Sequence, residues 1–276
     1  MINQTPNHPI SNLSRRNFLK KTTAAGLAIG VGSPMLSAAK QTKGEKIKAL
    51  LVTGGGYHDY DAQKTIVTEG VSKLIDIDWT IWHHVKAEDL KKSLSAEGWA
   101  DDYDIIIYNM CHANEDDESY INNVVGVHKA GKPCVAIHCT MHSYHWNVGG
   151  GKHSKQDKEW NKLLGVVSMR HGPRGPAITV KKSDVSHEAY KLHAADWTTP
   201  KGELYHIDKV YPSATVLAKG TNGRSEHPVV WVNKYGKANV FGTTIGHHNE
   251  TMDSKDFLQT LADGIVWAVA ETQKQA

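Results

Sequence analysis

The sequence predicts an α/β protein with a doubly wound, mostly parallel sheet and β-hairpin elaborations in its second half. Two observations support this fold class. From Lys46 to about residue 138, unbroken apolar runs alternate with segments of helical periodicity, the pattern of a parallel sheet covered on both faces. From residue 165 on, the apolar segments are short and β-like. A chain of 276 residues is long enough to bury the core of one such domain.

The first half supplies the parallel strands and their helices. The run KIKALLVTGG is apolar until its glycines stop it, as expected of a first buried strand. The next segment places Ile66, Val67 and Val71 at helical spacing, and Gly131 closes a later helix. We expect strands at 46–55, 76–83, 103–110 and 133–138, and helices at 62–75, 87–94 and 116–131.

The second half predicts shorter β segments and one closing helix. The β segments are expected at 165–172, 177–182, 203–208, 215–220, 228–236 and 237–246, and the helix at 254–271. The Gly- and Lys-rich stretch 148–159 predicts a loop, either a lid or a plain solvated connection. Residues 40–276 are therefore expected to form one α/β domain.

Residues 1–39 have the organisation of a twin-arginine export signal. Arg15 and Arg16 precede the short, weakly hydrophobic run TTAAGLAIGVG, and small residues suited to signal-peptidase cleavage follow near Ala39. The run is too short and too rich in Gly and Ala to favour a membrane anchor; a disordered basic tail is the other alternative. We expect the twin-arginine export machinery as a partner, a periplasmic location and no membrane anchoring after cleavage.

Charge and cysteine content narrow the classes of function. The chain has 32 basic and 29 acidic residues, but four basic residues and no acidic ones lie in the leader. The remainder is slightly acidic, so a nucleic-acid partner lacks electrostatic support and is not expected. Cys111, Cys134 and Cys139 lack zinc-type spacing and are interpreted as buried apolar residues, although one disulfide stays open as an alternative.

Histidines follow the predicted parallel strands where those strands end. His58 follows the first strand and His112 follows the third. His138 ends the fourth strand and His247 ends the last. Ligands bind beyond the carboxyl ends of the strands in open parallel sheets, so these side chains are expected to converge on one edge. Further histidines of adjacent loops could join them: His142, His145 and His171.

Clustered imidazoles suggest two kinds of chemistry. Three imidazoles, or two with a carboxylate, are the usual protein ligands of a catalytic zinc ion, so a divalent metal (zinc or similar) is a candidate cofactor. The candidate ligands come from distant segments because the sequence has no HExxH pair: His58, His138, His171 and His247. Without a metal, histidine acid/base catalysis is the alternative.

The glycine-rich loop TGGGYHDY after the first strand does not have a nucleotide-binding pattern. It lacks the Walker lysine and the GxGxxG spacing. Its glycines are better suited to bringing the backbone close to a substrate. We expect no nucleotide cofactor.

Several stretches resemble known families. GKPCVAIHC resembles the central strand of class I glutamine amidotransferase-like domains, which implies a flavodoxin-like sheet. GELYHIDKVYPSATVLAKG and HPVVWVNKYGKANVFGTTIGH, with His171, resemble the trehalose-utilisation (ThuA-like) family of that superfamily, over roughly residues 46 to 270. The most specific parts are Glu203-Leu204-Tyr205, Pro228 with Trp231, Gly236, and Gly246-His247.

The sequence departs from the amidotransferase pattern at the nucleophile. His138 stands where those enzymes have a cysteine, and Cys139, one residue further on, is expected to point elsewhere. Glutamine hydrolysis through a thioester is therefore not expected, and His138 is interpreted as a base or a metal ligand. The segment SHEAY, where many relatives would carry His-Pro, leaves the role of His187 open.

The ThuA-like resemblance implies a carbohydrate-processing enzyme that acts on 3-keto-glucosides or related disaccharides. A 3-keto group acidifies the C2 proton, so the glycosidic bond can break by elimination, and hydration can follow. This chemistry needs a base, an electrophile at the enolate oxygen and an acid for the leaving oxygen. The expected catalytic residues are His138, Glu203 and His247. The expected substrate-binding residues are His58, His112, His142, Tyr205 and Trp231, with Trp146 as a further candidate for stacking on a sugar ring.

Two other functions stay open. A conventional two-carboxylate glycosidase could use Glu203, Glu115, Asp59 or Asp61, but no pair is marked by spacing. A non-catalytic sugar-binding module is the alternative from another class. An aromatic and amide-lined site would favour the module, whereas clustered titratable groups favour an enzyme.

Overall fold

A nine-stranded sheet organises the protein, whose computed structural model describes residues 46–144, 158–191 and 195–274. In chain order the strands are β1 (Ile47–Gly55), β2 (Ile77–His84), β3 (Ile105–Cys111), β4 (Cys134–Ile137), β5 (Val166–Arg174), β6 (Thr179–Lys182), β7 (Trp197–Thr198), β8 (Glu203–Val210), β9 (Ala214–Thr221), β10 (Glu226–Tyr235) and β11 (Ala238–Thr243). The sheet order is β2-β1-β3-β4-β11-β10-β9-β6-β7, and β5 pairs with β8 separately. The first five strands of that order are parallel, and the rest are antiparallel.

Helices cover both faces of the parallel part. They are α1 (Tyr60–Ser72), α2 (Ala87–Leu94), α3 (Glu118–Ala130), α4 (Glu159–Leu164), α5 (Asn249–Met252) and α6 (Lys255–Gln273), with short 3₁₀ turns at His138–His142 and Glu188–Tyr190. Val67 of α1 and Leu261 of α6 belong to one core. Leu94, Val124 and Leu163, of α2, α3 and α4, belong to the other. The predicted doubly wound, flavodoxin-like α/β fold with hairpin elaborations is therefore confirmed.

The central strands are buried on both sides, as their unbroken apolar runs predict. Leu51 and Ile107 point into one core, whereas their neighbours Leu50 and Ile106 point into the other, and all four are inaccessible to solvent. Burial of each such side chain contributes about 1.5–3 kcal/mol to stability. These two cores fix the sheet, and thereby the positions at which its strands end.

The structure adds short elements that were not predicted. α4 begins inside the segment interpreted as a loop, and α5 and β7 were not expected. β11 ends at Thr243, three residues earlier than predicted, and the N–H of Thr244 makes one further bond to the carbonyl of Val229 in β10 at 3.0 Å. His247 consequently lies in the connection to α5 rather than at the strand end.

Some predicted features fall outside the described residues. These are the export signal at 1–39, His145, Trp146 and most of the 148–159 loop. In the part of the chain that the structure describes, no helix combines the length and apolar character needed to cross a membrane.

Candidate functional site

The carboxyl ends of the parallel strands face a cavity of about 410 Å³, including the space at its open mouth. The strand order reverses between β1 and β3, which is where open α/β sheets bind ligands. The loop after β1, the end of β3 and the turn after β4 form one side, and the two-stranded β5–β8 sheet forms the other.

His138 occupies a sharp turn at the end of β4. Its φ is +45°, a left-handed conformation that costs a non-glycine residue roughly 1–2 kcal/mol. Its Nδ1 lies 2.6 Å from the carbonyl oxygen of Thr244, and because that oxygen only accepts, Nδ1 carries the proton. Gly246 permits this approach, since a Cβ there would lie 3.3 Å from the Cβ of His138. In the neutral ring, the lone pair of Nε2 therefore faces the site.

Three histidines meet beneath the cavity. His58, His138 and His247 each offer a ring nitrogen, and these nitrogens lie within 4.8 Å of one another. The nitrogens Nδ1 of His58, Nε2 of His138 and Nδ1 of His247 are buried and have no aligned hydrogen-bond partner. His58 lines the cavity, whereas His138 and His247 lie behind His58 and Glu203. Buried, unpartnered nitrogens that converge in this way are arranged as ligands.

Glu203, at the start of β8, joins this cluster to the cavity wall. Its Oε2 lies 3.2 Å from Nε2 of His138 and 3.2 Å from Nδ1 of His247. Its Oε1 lies 3.0 Å from Nδ1 of His171 and 3.0 Å from Nε of Arg174. Burial alone would raise the pKa of Glu203, but the contacts with His138 and His247 outweigh it and hold the pKa below its usual range. Glu203 is therefore ionised and held from both sides.

The charge states of this pair leave room for a cation. Burial lowers the pKa of His138, whereas its contact with Glu203 acts in the opposite direction. Because Nδ1 donates to Thr244, a neutral His138 would direct the lone pair of Nε2 at an oxygen of Glu203 3.2 Å away. Two lone pairs at that distance repel each other unless a proton or a metal ion lies between them. The donor set of three imidazoles suits zinc or a similar ion.

A stack of rings forms the polar wall of the cavity. The His142 ring lies parallel to the Tyr205 ring at 4.1 Å, and His138 packs against the same tyrosine at 4.3 Å. Nε2 of His142 lies 3.0 Å from the hydroxyl of Ser168. His171 contributes a partly exposed ring 6.1 Å from that of His142. These contacts fix His142 and Tyr205 at the cavity, where they were expected.

Four other expectations are corrected. Trp231 is fully buried under β11 and donates its indole N–H to the carbonyl of Leu164 at 2.7 Å, so it is a core residue rather than a substrate contact. His112 is buried, which lowers its pKa to about 4, and it is not among the described residues that line the cavity. His171 contacts Glu203 but does not belong to the convergent nitrogens. Cys139 lines the cavity instead of pointing elsewhere.

The structure answers the open questions about disulfide bonding and about His187. Cys111, Cys134 and Cys139 are buried and unbridged. His187 accepts a hydrogen bond from the N–H of Ala189 at 3.1 Å, which caps a 3₁₀ turn. This contact gives His187 a local role in the backbone.

The carboxylates available to a glycosidase do not meet at the cavity. Asp59 caps α1, Asp61 lies exposed beside Lys64, and Glu115 accepts from the N–H of Asp117. Among the described residues that line the cavity, Glu203 is the only carboxylate. A second carboxylate at the spacing that glycosidases use is therefore missing from this part of the site.

Four residues line the cavity that the sequence did not indicate: Tyr57, Cys111, Ala113 and Arg174. Arg174 lies at the mouth, with more than half of its side chain exposed. The stretch MRHGPRG contained the signal, because His171 was recognised there and Arg174 follows three residues later. Tyr57 also lines the cavity, and the three glycines before it were the available signal.

Comparisons with known proteins agree with this architecture. The model of the ThuA family, described as trehalose utilisation, matches residues 48–268. A ThuA-like protein from Parabacteroides merdae shares 21% identity at a TM-score of 0.62, over 82% of this chain and 90% of that one. A ThuA-like protein from Bacteroides uniformis shares 18% identity at a TM-score of 0.61, over 86% and 95%. A β-galactosidase from Rahnella sp. R3 shares 12% identity at a TM-score of 0.50, over 80% and 31%. At these identities the structures establish the fold, and no curated protein matches the sequence.

Proposed function

This chain belongs to the ThuA family, described as trehalose utilisation, and from that premise we propose that it is an enzyme that cleaves 3-keto-glucosides or related disaccharides. The family gives the chain a carbohydrate-related role. The observation that supports the specific chemistry is the convergence of three buried histidine nitrogens beneath an open cavity, two of them 3.2 Å from the carboxylate of Glu203. Elimination next to a ketone requires stabilisation of an enolate, and this arrangement suits that task.

His58, His138 and His247 are the residues that would hold a divalent ion. When bound, such an ion polarises a carbonyl oxygen of the substrate. His58 is the member of this set that lines the cavity, so it lies between the buried ligands and the substrate. Glu203 acts as the anion that orients His138 and His247, which replaces its expected role as the acid.

Histidines on the cavity wall carry the protons. His171 takes the proton from C2, and the carboxylate of Glu203, 3.0 Å from its Nδ1, stabilises the imidazolium that forms. The electrons of the C2–H bond form the enolate, and their return expels the oxygen at C1. His142 gives that oxygen its proton, and Ser168, 3.0 Å from Nε2, orients the ring. The products are an alcohol and an unsaturated keto sugar, which water then hydrates.

The other two candidate functions receive less support. A two-carboxylate glycosidase would need a partner for Glu203 at the cavity, and no described residue supplies one. A sugar-binding module would not require buried nitrogens without hydrogen bonds, because such groups destabilise the fold unless a ligand or chemistry uses them.

The proposed place of action is the periplasm. Arg15 and Arg16, followed by a weakly hydrophobic run and small residues, support export by the twin-arginine route. That route carries folded proteins, which suits a chain that acquires a metal before export. Localisation of a tagged precursor in cell fractions tests this part separately from the chemistry.

Proton exchange at C2 tests the reaction. The purified protein is incubated in D₂O with 3-keto-glucosides and with the matching unoxidised sugars, and C2 deuteration and cleavage are followed by NMR. We expect deuteration and cleavage of the keto sugars alone. Cleavage of unoxidised disaccharides without exchange would establish a glycosidase instead. Binding without exchange or cleavage would establish a sugar-binding module.

Metal content tests the ligand set. Elemental analysis after mild purification is expected to find about one divalent ion per chain, since the described residues contain one such histidine cluster. Chelation should abolish C2 exchange, and zinc should restore it. Full exchange in chelated, metal-free protein would leave histidine acid/base catalysis as the mechanism.

A further inference from the structure

Tyr57 combines backbone strain with exposure. Its φ is +85°, which costs a non-glycine residue roughly 1–2 kcal/mol, and 55% of the residue is exposed. His138 and Tyr144 also have positive φ, but both are buried, so packing and hydrogen bonds offset their strain. The Tyr57 side chain gains less from burial. Glycine or asparagine would fit the backbone at this position better than an aromatic residue.

The loop that carries Tyr57 is fixed on both sides. A Cβ at Gly54 would overlap the carbonyl oxygen of His84, and a Cβ at Gly55 would overlap that of Cys111. The glycines therefore press the loop against β2 and β3. Beyond Tyr57, Asp59 caps α1 and accepts a hydrogen bond from Asn249 at 2.8 Å. Tyr57 is held in place by its backbone, without a core around its side chain.

The other phenol and indole rings near the cavity are covered by protein. Tyr205 also lines it, but this residue is 1% exposed, and His142 and His138 cover its ring. Trp231, the expected stacking residue, is fully buried. Among the described residues that line the cavity, Tyr57 is therefore the only phenol or indole ring that a ligand can cover.

We propose that Tyr57 is the platform on which the outer sugar ring of a two-ring glycoside stacks, an inference that rests on the proposed function. The apolar face of a pyranose packs on an aromatic ring, and the hydroxyl groups at its edge stay available for polar partners. The reacting ring lies deeper, toward His58 and His171, and Arg174 offers donors at the mouth. The site therefore selects disaccharides over glycosides with a small aglycone.

Direct binding tests the platform without a need for turnover. The probes are trehalose and methyl α-glucoside, each as the native and the 3-keto sugar, titrated by calorimetry into wild type, Tyr57→Phe, Tyr57→Ala and Tyr57→Gly. Tyr57→Ala and Tyr57→Gly are expected to weaken disaccharide binding about tenfold and methyl glucoside binding less than threefold, as loss of one ring contact predicts. Tyr57→Phe should bind like wild type. Leu74→Ala, which truncates an exposed apolar side chain of the α1–β2 connection, is the matched control and should change nothing.

Stability supplies a second readout. Tyr57→Gly relieves the positive φ, so this variant should unfold at a higher temperature than Tyr57→Ala while binding as poorly. Wild-type disaccharide affinity in Tyr57→Ala would overturn the platform and leave the proposed function standing. Selective loss of disaccharide binding, in a protein that never exchanges C2 protons, would support the platform and refute the chemistry. Failure of the wild type to bind either form of the disaccharide would overturn the platform, and the exchange of C2 protons would then test the proposed function by itself.

Discussion

Glu203→Gln is the substitution that separates the proposed metal site from a purely structural cluster. Glutamine keeps the shape of the side chain but removes its charge and replaces one oxygen with an NH₂ donor. His171 and Arg174 donate to Oε1, so the remaining oxygen should stay with them and the NH₂ group should face His138 and His247. There it would donate to the lone pairs that the site offers to a cation.

The magnitudes follow from these contacts. Hydrogen bonds to charged groups are worth about 1.5–3 kcal/mol, and neutral ones about half as much. Glutamine replaces the charged hydrogen bonds of Glu203 with neutral ones. New hydrogen bonds from its NH₂ group to the nitrogens of His138 and His247 offset part of the lost stabilisation. We expect a net destabilisation of about 1–2 kcal/mol, or a fall in Tm of about 2–8 °C for a domain of this size. Zinc affinity should fall at least 10–100-fold, the usual cost of altering a group around a metal.

Three measurements decide the outcome. Zinc affinity is measured by competition with a chromophoric chelator, C2 exchange by NMR and stability by thermal unfolding. Glu159→Gln is the matched control, because Glu159 also accepts hydrogen bonds from Lys162 and Tyr235 but lies in α4, outside the cavity. We expect exchange to fall at least about 100-fold in Glu203→Gln alone. A folded Glu203→Gln protein with wild-type zinc affinity and exchange would refute the reasoning.

Three further predictions concern other parts of the chain. His138→Asn should abolish zinc binding and lower the rate of C2 proton exchange at least about 100-fold. The protein should stay folded, because asparagine tolerates positive φ and its amide can donate to the carbonyl of Thr244. A normal rate of C2 exchange would show that His138 does not belong to the site. Burial lowers the pKa of His128 to about 4, below the value of about 6.5 in unfolded chains, so the unfolded state binds more protons between these values and stability falls with acidification. Denaturant unfolding should show that His128 lowers the free energy of unfolding by about 2 kcal/mol when the pH falls from 7.5 to 5. His128→Gln should lose correspondingly less free energy of unfolding over the same pH range. Equal losses in the two proteins would contradict the lowered pKa of His128. Replacement of Arg15 and Arg16 by lysine should leave precursor in the cytoplasm, and undiminished periplasmic delivery would refute twin-arginine export.

The sequence specified the parallel part of the fold because hydrophobic burial determines it. β1 and β3 are covered on both faces, so their central residues, 49–52 and 105–108, form apolar runs that are typical of buried parallel strands. The ends of such strands share one edge, which is why the meeting of His58 and His138 could be foreseen. α4 could not be foreseen, because six residues are too few to show helical periodicity.

Side-chain direction at the strand ends was not predictable in the same way. Cys139 was expected to point away from His138 because neighbours in a strand alternate. β4, however, ends at Ile137, and the chain enters a left-handed residue followed by a 3₁₀ turn, so alternation no longer applies. The prediction that Trp231 contacts the substrate was wrong for a related reason. The residue pattern of β10 does not show which face of the strand packs on the core and which lies toward the cavity.

The residues with left-handed φ and the buried histidine nitrogens lie at the same end of the sheet. Their position together supports a functional site at this end. Two core layers hold the strands firmly, so the protein can tolerate left-handed φ at Tyr57 and His138 and buried nitrogens without hydrogen bonds. Each of these features destabilises the fold, and packing alone would not select any of them. A bound cation would satisfy the nitrogens, and a sugar ring would cover Tyr57. Occupation of the site should therefore stabilise the protein, and zinc and an unoxidised disaccharide should each raise its unfolding temperature. If a sugar raises the unfolding temperature of Tyr57→Ala as much as that of the wild type, the left-handed φ at Tyr57 does not serve sugar binding.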